Sequence, residues 1–200
     1  MSSKRRVVVT GLGIVSPLGN DLETTWKNIL NGESGAARIT KFDASDFSTT
    51  FAAELKGYDD ISGLSQKETR RIDPFVQYAL TASDQAITDA NLALENLDTK
   101  RIGVSIGSGI GGLGSIEDNS IILKEKGPKK ISPFFVPGAI INMASGNVAI
   151  KYNLQGPNIS IVSACSSAGH SIGYSARTIS YGDADIMITG GSEAGITPLG

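Results

Sequence analysis

Residues 156–191 read GPNISIVSACSSAGHSIGYSARTISYGDADIMITGG, and their pattern sets the architecture. A short β-branched run, Asn158–Val162, gives way to small residues, then to a helical spacing, then to a second apolar run, Ala184–Gly191. From Cys165 the small and apolar positions fall at Ala168, Gly169, Ile172, Ala176 and Ile179, the period of a helix. A strand, a helix and a strand in this order predict parallel strands with the helix packed on the sheet. Gly169 and Gly173 lie four apart and leave a smooth face, so the helix is expected deep in the interior. Cys165, the one cysteine of the chain, then sits at the first turn of that helix, directly after a strand.

That position has chemical content. The first N–H groups of a helix lack intrahelical partners and carry partial positive charge. A thiol placed there is favoured as thiolate, and its own N–H can help to hold an oxyanion. Ser163, Ser166 and Ser167 add polar neighbours without crowding the sulfur. The competing reading is a buried cysteine acting as a small hydrophobe. Position alone leaves both open.

Outward from this stretch, RRVVVTGLG predicts a buried strand over Arg6–Thr10 that runs into a glycine turn. NDLETTWKNILNG predicts a helix capped by Asn20 or Asp21, with Leu22, Trp26, Ile29 and Leu30 on one face and Gly32 as its stop. Residues 33–72 are mixed and polar and predict an irregular excursion. DPFVQYALTASDQAITDANL is the clearest helix: Asp73 caps it, Pro74 takes the first position, and Phe75, Ala79, Ala82 and Ala86 line a stripe. RIGVSIGSG predicts a strand ending in a glycine-rich loop, followed by a helical piece over 114–125. The proline-rich KGPKKISPFFVPG reads as a loop and AIINMASGNVAIKYN as a helix broken or crowded at Gly146. Strands alternating with helices give an α/β fold around a mostly parallel sheet.

Two hundred residues suffice to bury a sizeable core. A net charge of −2 offers no general attraction for nucleic acid or anionic lipid, so neither is expected as a partner. The basic start before an apolar run mimics a secretory leader, but Gly11, Gly13 and Pro17 interrupt it and no small-residue cleavage site follows. No segment approaches the ~20 apolar residues that would span a bilayer. One cysteine makes no internal disulfide, which favours a reducing compartment. A cytoplasmic protein without membrane insertion is the expectation.

Two motifs invite other chemistries. GHSIG, residues 169–173, matches the hydrolase G-x-S-x-G pattern, yet Ser171 falls within the helix rather than at a strand-to-helix elbow, and no histidine follows it. GSGIGG, residues 107–112, satisfies a dinucleotide fingerprint after a strand. The acidic residue wanted about twenty positions later is replaced by lysines in GPKKIS.

Extended to Ala194, the opening stretch resembles the active-site segment of the β-ketoacyl-acyl-carrier-protein synthases, most of all the elongating type II enzymes. RRVVVTGLGIVSPLGND, IGSGIGG and KKISPFFVPGAIINM are similar to the same family, so the likeness runs over the whole chain in matching order. The resemblance implies a thiolase-like fold and a decarboxylating Claisen condensation in fatty-acid elongation. It makes residues 1–200 the N-terminal half, with a C-terminal half absent from this chain, and implies a homodimer and no cofactor. Cys165 would accept an acyl chain from acyl carrier protein, where the chain is carried on phosphopantetheine. A malonyl group on a second carrier would then lose carbon dioxide and attack that thioester. Ile110 would gate the acyl tunnel and Phe135 would lie near the pocket; core packing is the competing reading for both. Lys67, Arg70, Arg71, Lys129 and Lys130 would meet the acidic carrier, against the reading of a merely solvated face. The family takes two histidines and a lysine from its second half; His170, the sole histidine here, matches neither and reads as structural. This piece alone is therefore expected to be inactive. The alternatives are a polyketide or type I ketosynthase, a non-catalytic chain-length-factor-like scaffold (whose members lack the cysteine), or a folded piece without chemistry.

Overall fold

The computed structural model describes residues 5–58 and 63–200. Its main sheet has three strands: β3 (Ile102–Gly107) in the centre, β4 (Asn158–Ile159) on one side and β5 (Ile186–Gly191) on the other. Both pairings are parallel, with Val104 opposite Asn158 and Ile188. A separate two-stranded antiparallel ribbon joins β1 (Ala37–Arg38) to β2 (Phe51–Ala52) in the stretch expected to be irregular, part of which, residues 59–62, lies outside the described residues. The strands of the opening stretch are thus parallel but not neighbours, because β3 lies between them.

Every residue of β3 is buried, and its two faces differ in kind. Ile102, Val104 and Ile106 point into an apolar cluster. It is shared with Phe75, Val76, Ala79 and Leu80 of helix α3 (Pro74–Asp89) and with Ala144 and Val148 of helix α6 (Met143–Tyr152). Gly103, Ser105 and Gly107 face the other way, where helix α7 (Ser167–Tyr181) comes close. A Cβ on Gly107 would lie 2.8 Å from both the Ser167 carbonyl and the Ser171 hydroxyl, and one on Gly191 only 2.5 Å from the Ala168 methyl. Glycine at the ends of β3 and β5 is what lets this helix settle on the sheet.

Helix α7 sits differently from expectation. Its buried residues are Ser167, Ser171, Ser175 and Thr178, while Ile172 is 50% exposed and the space beside Gly169 and Gly173 is open. The helix lies on the sheet through its hydroxyl-bearing stripe and Ala168, since small side chains permit the closest approach, and Ile172 points away. It is half-buried rather than sunk in the interior.

Two further expectations are corrected. No strand forms over Arg6–Thr10 among the described residues, and Val8 and Val9 are exposed. The backbone beyond them lies on α3 instead: the Leu12 N–H donates to the Asp89 carboxylate (2.8 Å) and the Ile14 N–H to the Gln85 side chain (2.9 Å). Gly11 and Gly13 face the carbonyls of Ala86 and Ala82 too closely for any side chain, so these alanines receive backbone. Helix α1 (Leu22–Leu30) starts at Asp21, whose carboxylate accepts the Thr24 N–H at 2.7 Å, and Gly32 at φ +70° turns the chain out. Its apolar face is nonetheless open, with Trp26 and Leu30 exposed. Thr25 is the buried residue of α1 and bonds to Ser16 and to the Gly19 carbonyl, so a polar latch holds the helix.

Three elements also depart from the reading: α2 (Gln66–Thr69) lies in the stretch expected to be irregular, α5 (Phe135–Ala139) in the segment expected to be a loop, and α6 runs through Gly146 without a break or crowding there. Helix α2 opens on a Ser65–Glu68 capping box, and helix α4 (Leu113–Lys126) follows the glycine loop. A single 3-10 turn, Pro128–Lys130, and the short α5 form inside the proline-rich segment.

Candidate functional site

Cys165 lies in a tight turn between β4 and α7, two residues ahead of the first helical residue. Expectation put it within the first helical turn; Ser166 instead occupies the N-cap. The turn is closed by bonds from the Ser166 N–H to the Ser163 carbonyl (3.2 Å) and from the Ser167 N–H to the Ala164 carbonyl (3.0 Å). Ala164 adopts φ +51°, a left-handed conformation that a residue with a Cβ rarely takes. The thiol is exposed. A sulfur packed away as a small hydrophobe would look otherwise.

The hydroxyl of Ser167 fixes this turn to the sheet. It accepts the Ser163 N–H at 2.9 Å and lies within bonding distance of the Ala164 carbonyl (2.7 Å) and the Ser108 carbonyl (3.2 Å). His170 Nδ1 meets the Ser163 hydroxyl at 2.5 Å, bracing the turn from the first turn of the helix. That contact suits a structural histidine.

The glycine loop 107–112 leaves the C-terminal end of β3 beside the same turn. Each of its central N–H groups has an acceptor within the protein. Gly109 and Ile110 donate to Glu193 Oε2 at 2.5 and 3.2 Å, Gly111 to the Ser108 hydroxyl and Gly112 to the Ala139 carbonyl. Donors that would cradle a pyrophosphate are already engaged, which removes the dinucleotide reading. Ser171, the candidate hydrolase nucleophile, is fully buried in the middle of α7.

Ile110 and Phe135 line one cleft of about 470 Å³, together with Ile116, Val136, Ile140 and Val162. Phe135 is half-buried and Ile110 is 52% exposed at its mouth. Cys165 does not line this cleft; Val162, three residues earlier in the chain, does. A smaller hollow of about 250 Å³ is lined by Gly13, Ile14, Val15, Pro17, Tyr78 and residues 191–196 among others, and Cys165 does not line it.

Lys67, Arg70, Arg71, Lys129 and Lys130 are all exposed. Lys67 is on α2, Arg70 ends it, and Lys129 and Lys130 occupy the 3-10 turn. The two basic runs adjoin where the Arg71 guanidinium stacks 4.6 Å over the Phe134 ring and Asp73 donates its N–H to the Gly138 carbonyl.

Glu193 and the bonding role of Ser167 escaped the sequence reading. Glu193 has a topological signature: in parallel sheets, sites gather beyond the carboxyl ends of the strands, and residues 108–112 and 192–195 leave two adjacent ends.

A family model described as Beta-ketoacyl synthase, N-terminal domain, matches residues 4–200. The 3-oxoacyl-[acyl-carrier-protein] synthase 2 of Coxiella burnetii is 55% identical over 197 residues, covering 98% of this chain and 48% of that protein. The protein of the same description from Vibrio cholerae is 52% identical, over 99% of this chain and 48% of its own length. The chain spans about half the length of the curated relatives it matches. Among solved structures, a type II PKS acyl-carrier protein in complex with its ketosynthase bound to the hexaketide superposes with a TM-score of 0.80 at 26% identity, covering 98% of this chain and 52% of that chain. The fold is accordingly thiolase-like.

Proposed function

Because this chain belongs to the β-ketoacyl synthase family, whose N-terminal domain it carries, we propose that it is the nucleophile-bearing part of an elongating 3-oxoacyl-[acyl-carrier-protein] synthase. The observation that supports this best is the exposed Cys165 thiol in a strained turn at the mouth of α7. In the reaction the Cys165 sulfur attacks the thioester carbonyl of an acyl carrier protein. The carbonyl oxygen becomes an oxyanion, for which the Cys165 N–H is one donor. Collapse expels the carrier thiol and leaves the acyl group on sulfur. Malonyl on a second carrier then loses carbon dioxide, and its carbanion forms the new C–C bond at the acyl carbon. Breaking the C–S bond returns the Cys165 thiolate and releases the β-ketoacyl carrier.

The decarboxylating groups are two histidines and a lysine in the family, and this chain has one histidine, His170, engaged with Ser163. The full-length protein supplies them in this reading, and residues 1–200 form its N-terminal half. The carrier docks over the basic runs, the acyl chain enters the cleft of Ile110 and Phe135, and the enzyme works as a cytoplasmic homodimer. Identity of 55% to a 3-oxoacyl-[acyl-carrier-protein] synthase 2, against 26% to a type II PKS ketosynthase, favours fatty-acid elongation. An accessible cysteine also disfavours a scaffold.

The test is mass spectrometry of the full-length protein after incubation with acyl carrier protein bearing a fatty acyl chain. A peptide containing Cys165 should gain the acyl mass, and Cys165→Ala should abolish the gain while leaving the fold intact. Acyl mass absent from this peptide in the wild-type protein would sink the assignment.

A further inference from the structure

We propose that Glu193 is a positioning residue that holds the Ile110 segment in place and thereby sets which acyl chain lengths enter the cleft. The inference rests on the synthase reading above for its substrate, and on bond geometry for its structure.

Loop 107–112 is held at two ends by different kinds of anchor. On its far side, Gly112 donates to the backbone of Ala139, and Gly111, at φ +80°, packs against Ile141 so closely that its Cβ would meet the Ile141 side chain at 2.8 Å. That end is fixed by backbone. On its near side, the N–H groups of Gly109 and Ile110 share one carboxylate oxygen of Glu193, reached across more than eighty residues of sequence. A charged acceptor shared by two N–H donors makes strong bonds, but the group sits on a side chain that can swing away. Glu193 itself is set by its neighbour: Ser192 donates its N–H to the Gly107 carbonyl (3.0 Å) and its hydroxyl to the Phe75 carbonyl (2.6 Å). Gly109 leaves no room for a side chain beside this anchor, since a Cβ there would lie 2.9 Å from Glu193 Oε2, with the Ala164 carbonyl carbon at 3.5 Å. The anchored end of the loop therefore lies beside the residue preceding Cys165. Ile110, which lines the same cleft as Phe135, is the side chain whose freedom this anchor controls.

Removing the carboxylate releases the near end alone. In the full-length protein, Glu193→Ala should reduce hydrogen-exchange protection of the Gly109 and Ile110 amides by about tenfold or more, with Gly112 unchanged. In single-turnover loading of Cys165, the ratio of hexadecanoyl to octanoyl transfer should rise by about threefold or more, because a looser wall admits the longer chain. Glu193→Gln keeps a carbonyl acceptor and should recover most of both effects, which loss of charge or of general stability would not do. Gly109→Ala displaces the carboxylate without deleting it and should reproduce the ratio shift, so the idea stays testable should Glu193→Ala fold poorly. Unchanged protection at Gly109 and Ile110 overturns the proposal, as does an unchanged or lowered chain-length ratio. Protection lost in a protein whose wild type never loads Cys165 overturns the chain-length role and, separately, the synthase reading, while the anchoring contact stands.

Discussion

Ala164 concentrates the cost of presenting the thiol. A left-handed alanine costs about 1–2 kcal/mol relative to glycine in the same conformation, and glycine gives back part of that as entropy in the unfolded chain. Ala164→Gly should therefore leave stability unchanged or raise it by up to about 1 kcal/mol, measured by denaturant midpoint. Acyl loading of Cys165 should fall in the same variant, because the stiff alanine aims the following residue. Asp185 makes a second residue-level case. Arg101 and then Arg5 hold its carboxylate well below the ordinary 3.8, at about 2, so its charged form is preferred in the folded protein. Stability from this cluster is complete above the ordinary value and is lost as pH falls towards 2. Asp185→Asn should be less stable than wild type at neutral pH, and the gap should close on acidification through that window. An unchanged acid limb in the unfolding curves would remove the cluster from the balance.

Among elements, the seat of α7 on β3 and β5 matters most, because it determines where the Cys165 turn stands. Gly107→Ala would drive a methyl into the Ile161 and Ser167 carbonyls and the Ser171 hydroxyl, contacts of 2.6–2.8 Å made largely by backbone that cannot yield. We expect a loss of about 3 kcal/mol or failure to accumulate, read by thermal melting and soluble yield. Gly146→Ala serves as control, since its Cβ would meet nothing closer than the Met143 sulfur at 3.5 Å. This contrast also explains what was legible beforehand. Strong local signals carried through: the Asp73–Pro74 start of α3, the Asp21 cap of α1, the helical spacing after Cys165 and the β-branched run of β3 all took their expected form. The orientation of α3 followed its stripe, with Phe75 and Ala79 buried, whereas that of α1 and α7 did not. Periodicity marks the apolar side of a helix, yet α7 buries its serines because sheet glycines receive them, and α1 is held through Thr25 rather than through Trp26. Val8 and Val9 have strand propensity, but the glycines beyond them lay the chain on a helix. At the site, Cys165 was legible because one residue at a strand–helix junction carries a chemical signature. Glu193 was not, because its role depends on two strands ending side by side.

At the scale of the whole molecule, exposed apolar side chains and a cluster of cations belong to different elements. Trp26 and Leu30 on α1, Val8 and Val9 before it, and Ile172 on α7 are open to solvent, in a chain that spans about half the length of its relatives. Cations gather elsewhere, on α2 and the 3-10 turn beside Phe134. Because the overall charge is slightly negative, the proposed docking of an acidic carrier rests on this local patch rather than on the protein's general field. Arg71 is a poor probe of that attraction, since its guanidinium also packs on the Phe134 ring and its loss would disturb the neighbourhood of the cleft. Lys67 and Lys130 are exposed and can be altered without that cost. Reversing both in the full-length protein (K67E/K130E) should raise KM for acyl carrier protein by about tenfold at low ionic strength and leave kcat and melting temperature unchanged. The defect should shrink as salt rises, because screening removes from the wild type the attraction that the variant lacks. A KM unchanged at low salt would move the docking surface away from these lysines, and a KM defect indifferent to salt would mean that the substitutions act through shape instead of charge.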